Sequence, residues 1–360
     1  MPSAVEWLES LSPWPADGFG LERMRALLAG LGDPQLEFPS IHVVGTKGKS
    51  TTTRTIEETL LGEGGLAAAY TSPHVSGWAE RIRVGGQEVD VERVLARVRP
   101  PAVALGATQF ETLTAAALVE FAEAEVDVAA VEAGLGGRFD ATNVLRSPVQ
   151  VLTNVGLEHT DVLGETREAI AAEKLAVVQP GATVVLGEPE WEELARANAA
   201  ARVIVETGGN RALGGAAASA YLERAVAPAD VQLPGRLELR GDEIRDGAHT
   251  PEAVRYVAPS LPPLGSIVAS ILADKNVDAV LAELARLAPV LVATASSNTR
   301  ALPAADLAAR AAGHFEHVEA VAEPHQALRR AHELGEPVLV TGSLYLLADL
   351  AAAETARMVR

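Results

Sequence analysis

Short runs of β-branched residues alternate with longer helical patterns along this chain, and this alternation constrains the fold more than any other feature. Buried strands are predicted at Ile41–Val44, Val126–Glu132, Val149–Asn154 and Ala182–Leu186. Helical patterns lie between them, notably at Ser50–Glu63, Glu111–Glu125 and Glu165–Val178. Apolar strands separated by helices are typical of parallel βαβ construction. The sequence therefore predicts an α/β protein with a mostly parallel sheet.

A second domain follows a change in pattern. Between Thr207 and Glu238 the periodicity weakens, and Gly-Gly-Asn, Gly-Gly-Ala and Leu-Pro-Gly-Arg interrupt it. The alternation then restarts, with strands predicted at Glu243–Asp246, Ile267–Leu272, Pro289–Thr294 and Pro337–Thr341, each followed by a helical segment. We place the boundary near Leu233–Arg236. Residues 1–233 then form the first domain, and residues 234–360 form a smaller, Rossmann-like α/β domain.

The composition narrows the classes of function. Asp plus Glu number 48 against 30 Lys plus Arg, a formal net charge of −18 that disfavours binding to nucleic acid or anionic membranes. There is no cysteine, which excludes disulfides, thiolate metal sites and cysteine nucleophiles. No apolar run reaches the ~18 residues of a membrane span, and Met1–Leu11 lacks the basic start of a signal peptide. We expect a cytoplasmic protein that captures any polyanionic ligand at a concentrated positive site.

One segment has the features of a phosphate-binding loop. The predicted strand Ile41–Val44 leads into a turn with two glycines, and a helical pattern follows it. Glycines let backbone N–H groups approach phosphate oxygens, and a helix N-terminus adds partial positive charge. The residues predicted to bind nucleotide here are Gly45, Thr46, Lys47, Gly48, Lys49, Ser50 and Thr51. The Gly-x-x-Gly-Lys-Ser spacing is shorter than the general P-loop pattern, so a simple strand-to-helix turn is the alternative. We predict that the first domain is a P-loop mononucleotide-binding domain.

Two further residues follow predicted strands. Glu132 ends one and His159 comes shortly after another, at the sheet edge where open α/β folds bind ligands. The residues alone leave alternatives open, because Glu132 could pair with Arg138 and His159 could be a capped turn residue. Lys174 follows Glu173 on a helical pattern, which by itself favours a solvated surface lysine.

An ordered series of motifs resembles the folylpolyglutamate synthase/dihydrofolate synthase family of the Mur ligase superfamily, over nearly the whole chain. Besides the loop, the motifs are Phe19–Leu28, Leu31–Pro34, Thr71–His74, Glu80–Arg83, Phe110–Thr114, Val131–Asn143, Thr153–Thr160, Leu163–Gly164, Glu173–Lys174, Leu233–Glu238, Asp246–His249, Asp274–Lys275 and Thr341–Ser343. Such a series is far more specific than the loop alone. The resemblance implies an ATP-dependent ligase, whose C-terminal domain is the glutamate-ligase domain.

The resemblance also implies roles for individual residues. Ser72, Glu132 and His159 match magnesium ligands, and Lys174 matches a lysine whose CO₂-derived carbamate helps to hold a second Mg²⁺ ion. Lys49, Lys174 and His159 are then the catalytic residues. Arg236 and Asp246 match residues that contact ATP.

The pterin-bearing substrate has its own predicted contacts, again by resemblance: Thr108, Gln109, Phe110, Glu111 and Asp140. Phe110 offers a flat face for a heteroaromatic ring, and the two carboxylates could accept hydrogen bonds from its amino groups. The alternative for Phe110 is simply the apolar start of a helix.

The implied reaction is amide formation. ATP phosphorylates a carboxylate of folate or dihydropteroate, and the amino group of L-glutamate attacks the acyl phosphate, with release of ADP and phosphate. A Mur-type ligase for a cell-wall precursor and a nucleotide-binding relative without ligase activity are the alternatives. The last is motivated by two departures from the family pattern, Gly214 and Thr250, where asparagine is usual. We expect a monomer with small-molecule partners and no nucleic acid or membrane partner.

Overall fold

The computed structural model describes residues 2–15 and 18–358. The chain forms two compact units. The first comprises Met1–His74 and Trp78–Val231, and the second comprises Val75–Gly77 and Gln232–Arg360. Both are α/β, so the predicted fold class is confirmed. Among the described residues, none of the helices has both the length and the apolar character needed to cross a membrane.

The first unit is built on an eight-stranded sheet. Its strands are β1 (Ser40–Val44), β2 (Ala67–Tyr70), β3 (Ile82–Val84), β4 (Gln87–Glu88), β5 (Val128–Glu132), β6 (Val149–Leu152), β7 (Thr183–Leu186) and β8 (Arg202–Val205). They lie in the order β4-β3-β2-β5-β1-β6-β7-β8. Only β3 pairs antiparallel with its neighbours β2 and β4. The sheet is therefore mostly parallel, as the sequence predicts.

The strand register brings three chain segments to one edge of this sheet. In the centre, β1 pairs with β5 and with β6, so that Val43 lies opposite Glu132 and Val44 opposite Leu152. All three strands are buried along their length, which explains their apolar sequences. The residues that follow β1, β5 and β6 consequently start side by side.

Helices cover both faces of the sheet. They are α1 (Ala4–Glu9), α2 (Glu22–Gly30), α3 (Lys49–Gly62), α4 (Val91–Leu105), α5 (Gln109–Glu123), α6 (Thr160–Leu163), α7 (Arg167–Leu175), α8 (Glu192–Ala197) and α9 (Asn210–Tyr221), with 3₁₀ turns at Pro34–Leu36, Trp78–Arg81 and Pro189–Trp191. The sequence missed α9, because Gly214 and Gly215 weaken its helical pattern. A Cβ at Gly214 would lie 2.7 Å from the Thr55 Cβ on α3. Glycine is thus needed where α9 packs against α3.

The second unit has a six-stranded sheet. Its elements are β9 (Glu238–Arg240), β10 (Glu243–Arg245), α10 (Pro251–Val257), a 3₁₀ turn (Ala258–Ser260), β11 (Ser266–Ala269), α11 (Val277–Leu284), β12 (Val290–Ala293), α12 (Ala304–Ala311), β13 (His317–Ala320), α13 (Pro324–Leu334), β14 (Val338–Thr341) and α14 (Leu344–Met358). The strand order is β13-β12-β11-β14-β10-β9, and only β9 is antiparallel to its neighbour. Helices alternate with the parallel strands, as in Rossmann-like domains.

Candidate active site

The phosphate-binding loop connects β1 to α3, and its glycines are required by the backbone. Gly48 has a φ of +81° and is the N-cap of α3, whose first residue is Lys49. A Cβ on Gly45 would collide with the Thr153 side chain, and one on Gly48 would collide with that of Asn210. The loop leads directly into the N-terminus of α3, where backbone N–H groups and the helix dipole suit an anionic ligand. Phosphate binding by this loop stays a prediction.

The loop is held in place by the segment that follows β6. The Thr46 N–H donates to the Asn154 carbonyl oxygen at 3.0 Å, and the Lys47 N–H donates to the Asn154 side-chain oxygen at 2.9 Å. In return, the Thr153 hydroxyl donates to the Lys47 carbonyl oxygen at 2.7 Å, and the Gly156 N–H donates to the Thr46 hydroxyl at 3.0 Å. These bonds hold the loop against the segment that follows β6.

Two lysines converge on this loop. Lys49 Nζ and Lys174 Nζ both donate to the Gly45 carbonyl oxygen, at 3.1 and 2.8 Å. Lys174 Nζ also donates to Glu158 Oε1 at 3.2 Å, while Glu158 Oε2 lies 3.9 Å from Lys47 Nζ. The Lys174 side chain is only 1% exposed. The interpretation of Lys174 as a solvated surface lysine is therefore wrong.

Burial changes the acid–base properties of Lys174. Loss of solvation is the main cause that lowers its pKa, to about 8, and the neighbouring charge of Lys49 lowers it further against the opposing effect of Glu158. The neutral fraction of the amine near neutral pH is thus far larger than in an exposed lysine. Neutral amine is the form that reacts with CO₂ to give a carbamate.

Glu132 lies beside the loop that contains Ser72. It ends β5, is 2% exposed, and its Oε2 accepts a hydrogen bond from the Ser72 N–H at 3.0 Å. The Ser50 hydroxyl donates to the Ser72 carbonyl oxygen at 3.4 Å. Arg138 pairs instead with Glu173, with 3.1 Å between Nε and Oε2. The alternative pairing of Glu132 with Arg138 is therefore wrong.

His159 is exposed just before α6. Its φ of +46° is left-handed, and its side chain makes no capping hydrogen bond to that helix, so it is not a capped turn histidine.

Within residues 2–15 and 18–358, no three His, Asp or Glu side chains form a metal-binding cluster. The predicted ligand set depends instead on one carboxylate, one hydroxyl and one imidazole, with Lys174 as a carbamate. Carboxylate and hydroxyl oxygens are ligands that suit Mg²⁺. We call Gly45–Thr51, Glu132, Glu158 and Lys174 the phosphate corner.

A cavity of about 390 Å³ in the same unit contains all the predicted substrate residues. We call it the aromatic cavity. Its lining comprises Pro13, Trp14, Pro15, Phe19, Gly20, Ser72, Pro73, Arg81, Thr108, Gln109, Phe110, Glu111, Gly134, Leu135, Phe139, Asp140, Ala141 and His159. Ser72 and His159 are thus on its wall, together with the predicted pterin contacts.

Aromatic side chains form part of the wall of this cavity. Phe110 is half-buried, and its ring packs so closely on Gly134 that a Cβ there would lie 2.6 Å from a ring carbon. Trp14, Phe19 and Phe139 are each 44–50% exposed. Sequence reasoning did not select these three, although Phe19 and Phe139 lie inside motifs that it quoted. Exposed aromatic faces suit a planar heteroaromatic ligand.

The two carboxylates predicted to bind substrate already have partners within the protein. Glu111 Oε2 accepts from the Thr108 N–H and hydroxyl, both at 2.8 Å, and from Arg23 Nε at 2.9 Å. Asp140 accepts from the backbone N–H groups of Gly134, Leu135 and Thr142 and from the Thr142 hydroxyl. Burial raises the pKa of Asp140, against the effect of these donors. Both residues clearly have a structural role, and their contact with substrate remains a prediction.

Arg81 is a further cation on the cavity wall that sequence reasoning did not select. Its Nε donates to His74 Nδ1 at 2.9 Å, and its guanidinium lies 4.7 Å from the centre of the Trp78 ring. Burial lowers the Arg81 pKa, while the nearby Tyr70 and Glu132 act in the opposite direction. The Glu80–Arg83 motif contained the only sequence signal for it.

Comparison with known proteins identifies the family. The Mur ligase middle domain matches residues 43–210, and the Mur ligase, glutamate ligase domain matches residues 235–344. The dihydrofolate synthase/folylpolyglutamate synthase of Mycobacterium tuberculosis is 30% identical over an alignment of 388 positions, gaps included, that covers 84% of this chain and 80% of that protein. This chain belongs to the dihydrofolate synthase/folylpolyglutamate synthase family. The family inferred from the motifs is thereby confirmed.

Solved structures of family members match nearly the whole chain. FolC of Escherichia coli, in complex with DHPP and ADP, superposes with a TM-score of 0.85 at 28% identity, covering 99% of each chain. The bifunctional enzyme of Yersinia pestis, in complex with AMPPNP and a Mn ion, gives the same TM-score and identity over 99% of this chain and 98% of that one.

The remaining nucleotide-site residues predicted from the family lie in the second unit. Asp246 is buried and accepts hydrogen bonds from the Leu237 and Ala248 N–H groups, both at 2.9 Å. Arg236 donates to the Gly235 carbonyl oxygen at 3.0 Å. Their contacts with ATP stay a prediction. The two departures from the family pattern have local explanations: Gly214 permits helix packing, and the Thr250 hydroxyl caps α10 by accepting from the Ala253 N–H at 3.2 Å.

Proposed function

We propose that this protein is an ATP-dependent amide ligase that adds L-glutamate to a carboxylate of a folate or dihydropteroate, as a folylpolyglutamate synthase, a dihydrofolate synthase or both. The observation that carries the proposal is the placement of a glycine-containing loop at a helix N-terminus, a buried lysine and an aromatic cavity in one unit. The FolC complex with DHPP and ADP and the Yersinia pestis complex with AMPPNP and Mn support it.

The phosphate corner binds and orients the nucleotide. Residues 45–51 present backbone N–H groups at the N-terminus of α3, and Lys49 supplies the cation that reaches the β- and γ-phosphates. Lys49 Nζ donates to the Gly45 and Thr46 carbonyl oxygens, at 3.1 and 3.5 Å, and both acceptors are neutral, so a phosphate competes well for it. Ser50 or Thr51 supplies a hydroxyl at the same end of the helix. By family resemblance, Arg236 and Asp246 are the predicted ATP contacts of the second unit.

Ser72, Glu132, His159 and Lys174 are the residues that would hold magnesium. They fit the group, because the Glu132 carboxylate lies against the Ser72 backbone at the sheet edge beside the loop. Bound magnesium neutralises charge on the phosphates during phosphoryl transfer. Lys174 would become an anionic ligand when its neutral Nζ attacks the carbon of CO₂: an N–C bond forms, one C–O π bond opens onto oxygen, and the nitrogen releases a proton to water. Its buried position and lowered pKa of about 8 supply the neutral amine for that reaction.

The aromatic cavity binds the pterin-bearing substrate. Phe110 stacks on the heteroaromatic ring, and Thr108, Gln109, Glu111 and Asp140 form the polar part of the wall. The substrate carboxylate is phosphorylated by ATP, and the amine of glutamate displaces phosphate to form the amide. Exclusion of water preserves the acyl phosphate until the amine attacks.

A coupled assay of ADP release tests this function. The purified protein is incubated with ATP, Mg²⁺ and L-glutamate, with dihydropteroate or tetrahydrofolate as acceptor, and the product mass is measured. We expect ADP release that depends on acceptor and glutamate, and a product heavier by one glutamyl residue. Activity only with a cell-wall precursor, or nucleotide binding without turnover, would overturn the proposal.

We also infer that the enzyme works as a cytoplasmic monomer on small molecules, without nucleic acid or membrane partners. The formal net charge of −18 supports the exclusion of polyanionic partners. Sedimentation equilibrium at several protein concentrations tests the oligomeric state.

A further inference from the structure

A buried histidine lies close to the substrate cavity without a role in the proposed reaction. His42 is in the middle of β1 and is 2% exposed. Burial lowers its pKa to about 4, so the ring is neutral at physiological pH. Its Nε2 lies 2.7 Å from the Thr142 hydroxyl oxygen. A fully buried imidazole with a short polar contact is an element of a buried network.

The network continues from Thr142 to Asp140. The Thr142 hydroxyl donates to Asp140 Oδ1, which also accepts from the Thr142 N–H at 3.0 Å. A hydroxyl has one proton, so the Thr142 oxygen that donates to the carboxylate must accept from His42. His42 is therefore the neutral tautomer with its proton on Nε2. The chain of donors runs in one direction, from His42 through Thr142 to Asp140.

Asp140 connects this hydrogen-bond chain to the cavity wall. Its Oδ2 accepts from the Gly134 and Leu135 N–H groups at 2.9 and 2.8 Å. Gly134 in turn is the surface on which the Phe110 ring rests. Four donors fix both oxygens of Asp140, so a shift of this carboxylate would move the turn and the ring together.

We propose that His42 and Thr142 are positioning residues for substrate recognition. Their hydrogen bonds hold Asp140 in one orientation, and Asp140 holds the Gly134–Leu135 turn and the Phe110 ring in the arrangement that receives the pterin-bearing substrate. The nature of the substrate rests on the proposed function. The hydrogen-bond chain itself does not.

Matched substitutions at Thr142 provide the first test. Thr142→Val keeps the shape of the side chain but removes the hydroxyl, whereas Thr142→Ser keeps the hydroxyl. We expect Thr142→Val to raise KM for the pterin-bearing substrate roughly tenfold, the size of one hydrogen bond to a charged group. KM for ATP should stay within about twofold, because the phosphate loop is not part of the chain. Thr142→Ser should restore KM for the pterin-bearing substrate. Equal KM values in all three proteins would overturn the proposal.

A second pair of variants addresses His42. Gln can place an amide N–H near the position of the imidazole Nε2, while Leu cannot donate. His42→Gln should therefore stay close to wild type, and His42→Leu should raise KM as Thr142→Val does. Equal losses in both His42 variants would show that the ring acts only by packing.

Measurements without turnover separate this inference from the proposed function. In the wild-type protein, the ¹⁵N shifts of His42 should report a neutral ring with the proton on Nε2. Amide hydrogen exchange at Gly134 and Leu135 should be at least tenfold faster in Thr142→Val than in wild type and Thr142→Ser. A proton on Nδ1, or unchanged exchange, would overturn the hydrogen-bond chain. Loss of ligase activity in the wild type would refute only the proposed function.

Discussion

The phosphate corner and the aromatic cavity lie in the same unit, but their charged groups are partnered in different ways. In the corner, Lys49 and Lys174 share one neutral acceptor, the Gly45 carbonyl oxygen. In the cavity, the carboxylates of Glu111 and Asp140 each accept several hydrogen bonds from the protein. The Lys49 ammonium, which donates to backbone carbonyl oxygens, is thus ready for an anionic ligand, whereas the cavity carboxylates maintain shape. Substitutions in the corner should remove activity, and substitutions of these carboxylates should first reduce stability.

The largest effect is expected from Lys49→Ala. It removes the cation aimed at the β- and γ-phosphates, and loss of such an electrostatic contact typically costs roughly 10²–10³-fold in rate. The loop should keep its conformation, because Asn154, Thr153 and Gly156 hold it through bonds that do not involve this side chain. ADP release measures the rate, and circular dichroism checks the fold. Near wild-type turnover would refute the role assigned to the loop.

Lys174→Ala should have the second-largest effect. If Lys174 provides a carbamate ligand, activity should fall by about 10²-fold, while the free energy of unfolding changes by no more than about 2 kcal/mol. Acetate should restore part of the rate, because a short carboxylate can occupy the vacated position. Steady-state rates without acetate and with roughly 100 mM acetate measure the rescue, and urea unfolding measures the change in stability. A variant that unfolds, or one that turns over normally, would contradict a catalytic role for Lys174.

Glu132→Gln should have an intermediate effect that depends on magnesium. The amide oxygen remains a weak ligand without charge, so we expect about a tenfold loss of rate at low Mg²⁺ that excess Mg²⁺ partly restores. Arg138→Ala is the matched control, because Arg138 pairs with Glu173 and should leave the magnesium dependence unchanged. Magnesium titrations of the rate in the three proteins provide the measurement. The same magnesium dependence in Glu132→Gln and wild type would count against a metal-binding role.

On the cavity side, Glu111→Ala should mainly destabilise the fold. It removes the capping box of α5 and the ion pair between Glu111 and Arg23, which together cost about 2 kcal/mol. Glu193→Ala, at an exposed position on α8, is the control and should change stability by less than about 0.5 kcal/mol. Urea denaturation compares the variants. Unchanged stability together with lost substrate binding would show that Glu111 binds the substrate and does not stabilise the fold.

The smallest effect concerns pH. The Lys174 pKa is lowered from 10.5 to about 8 by burial and by Lys49. Between these two pH values the unfolded state binds more protons than the folded state, so the stability of the folded state rises with pH. In CO₂-free buffer the wild type should gain on the order of 1 kcal/mol over this range relative to Lys174→Met. Parallel pH profiles of the unfolding free energy would contradict the lowered pKa.

The parallel strands were the most predictable part of the fold. The strands β1, β5, β6 and β7 are β-branched and apolar because helices cover both of their faces. The sequence missed β2, since Ala67–Tyr70 contains three alanines and carries no β-branched signal. It missed α9 because two glycines that serve packing also weaken the helical pattern.

The residues of the candidate site could be predicted from the sequence, but the residues that they contact in the fold could not. The motifs selected Glu111, Asp140 and Lys174, but nothing near Glu111 in the sequence indicates its ion pair with Arg23, 88 residues away. Likewise, Glu173-Lys174 reads as an exposed pair, although the Lys174 side chain reaches Gly45 across the fold. Long-range contacts of this kind depend on the packed sheet, which local patterns do not encode.

In the proposed reaction, the phosphate corner promotes transfer of a phosphoryl group from ATP to the substrate carboxylate. An isotope measurement tests this step directly: the acceptor carboxylate is labelled with ¹⁸O, and the released phosphate is analysed by mass spectrometry. If an acyl phosphate forms and the glutamate amine displaces phosphate from it, each phosphate released carries one ¹⁸O atom from the substrate. Amide formation accompanied by unlabelled phosphate would contradict the account.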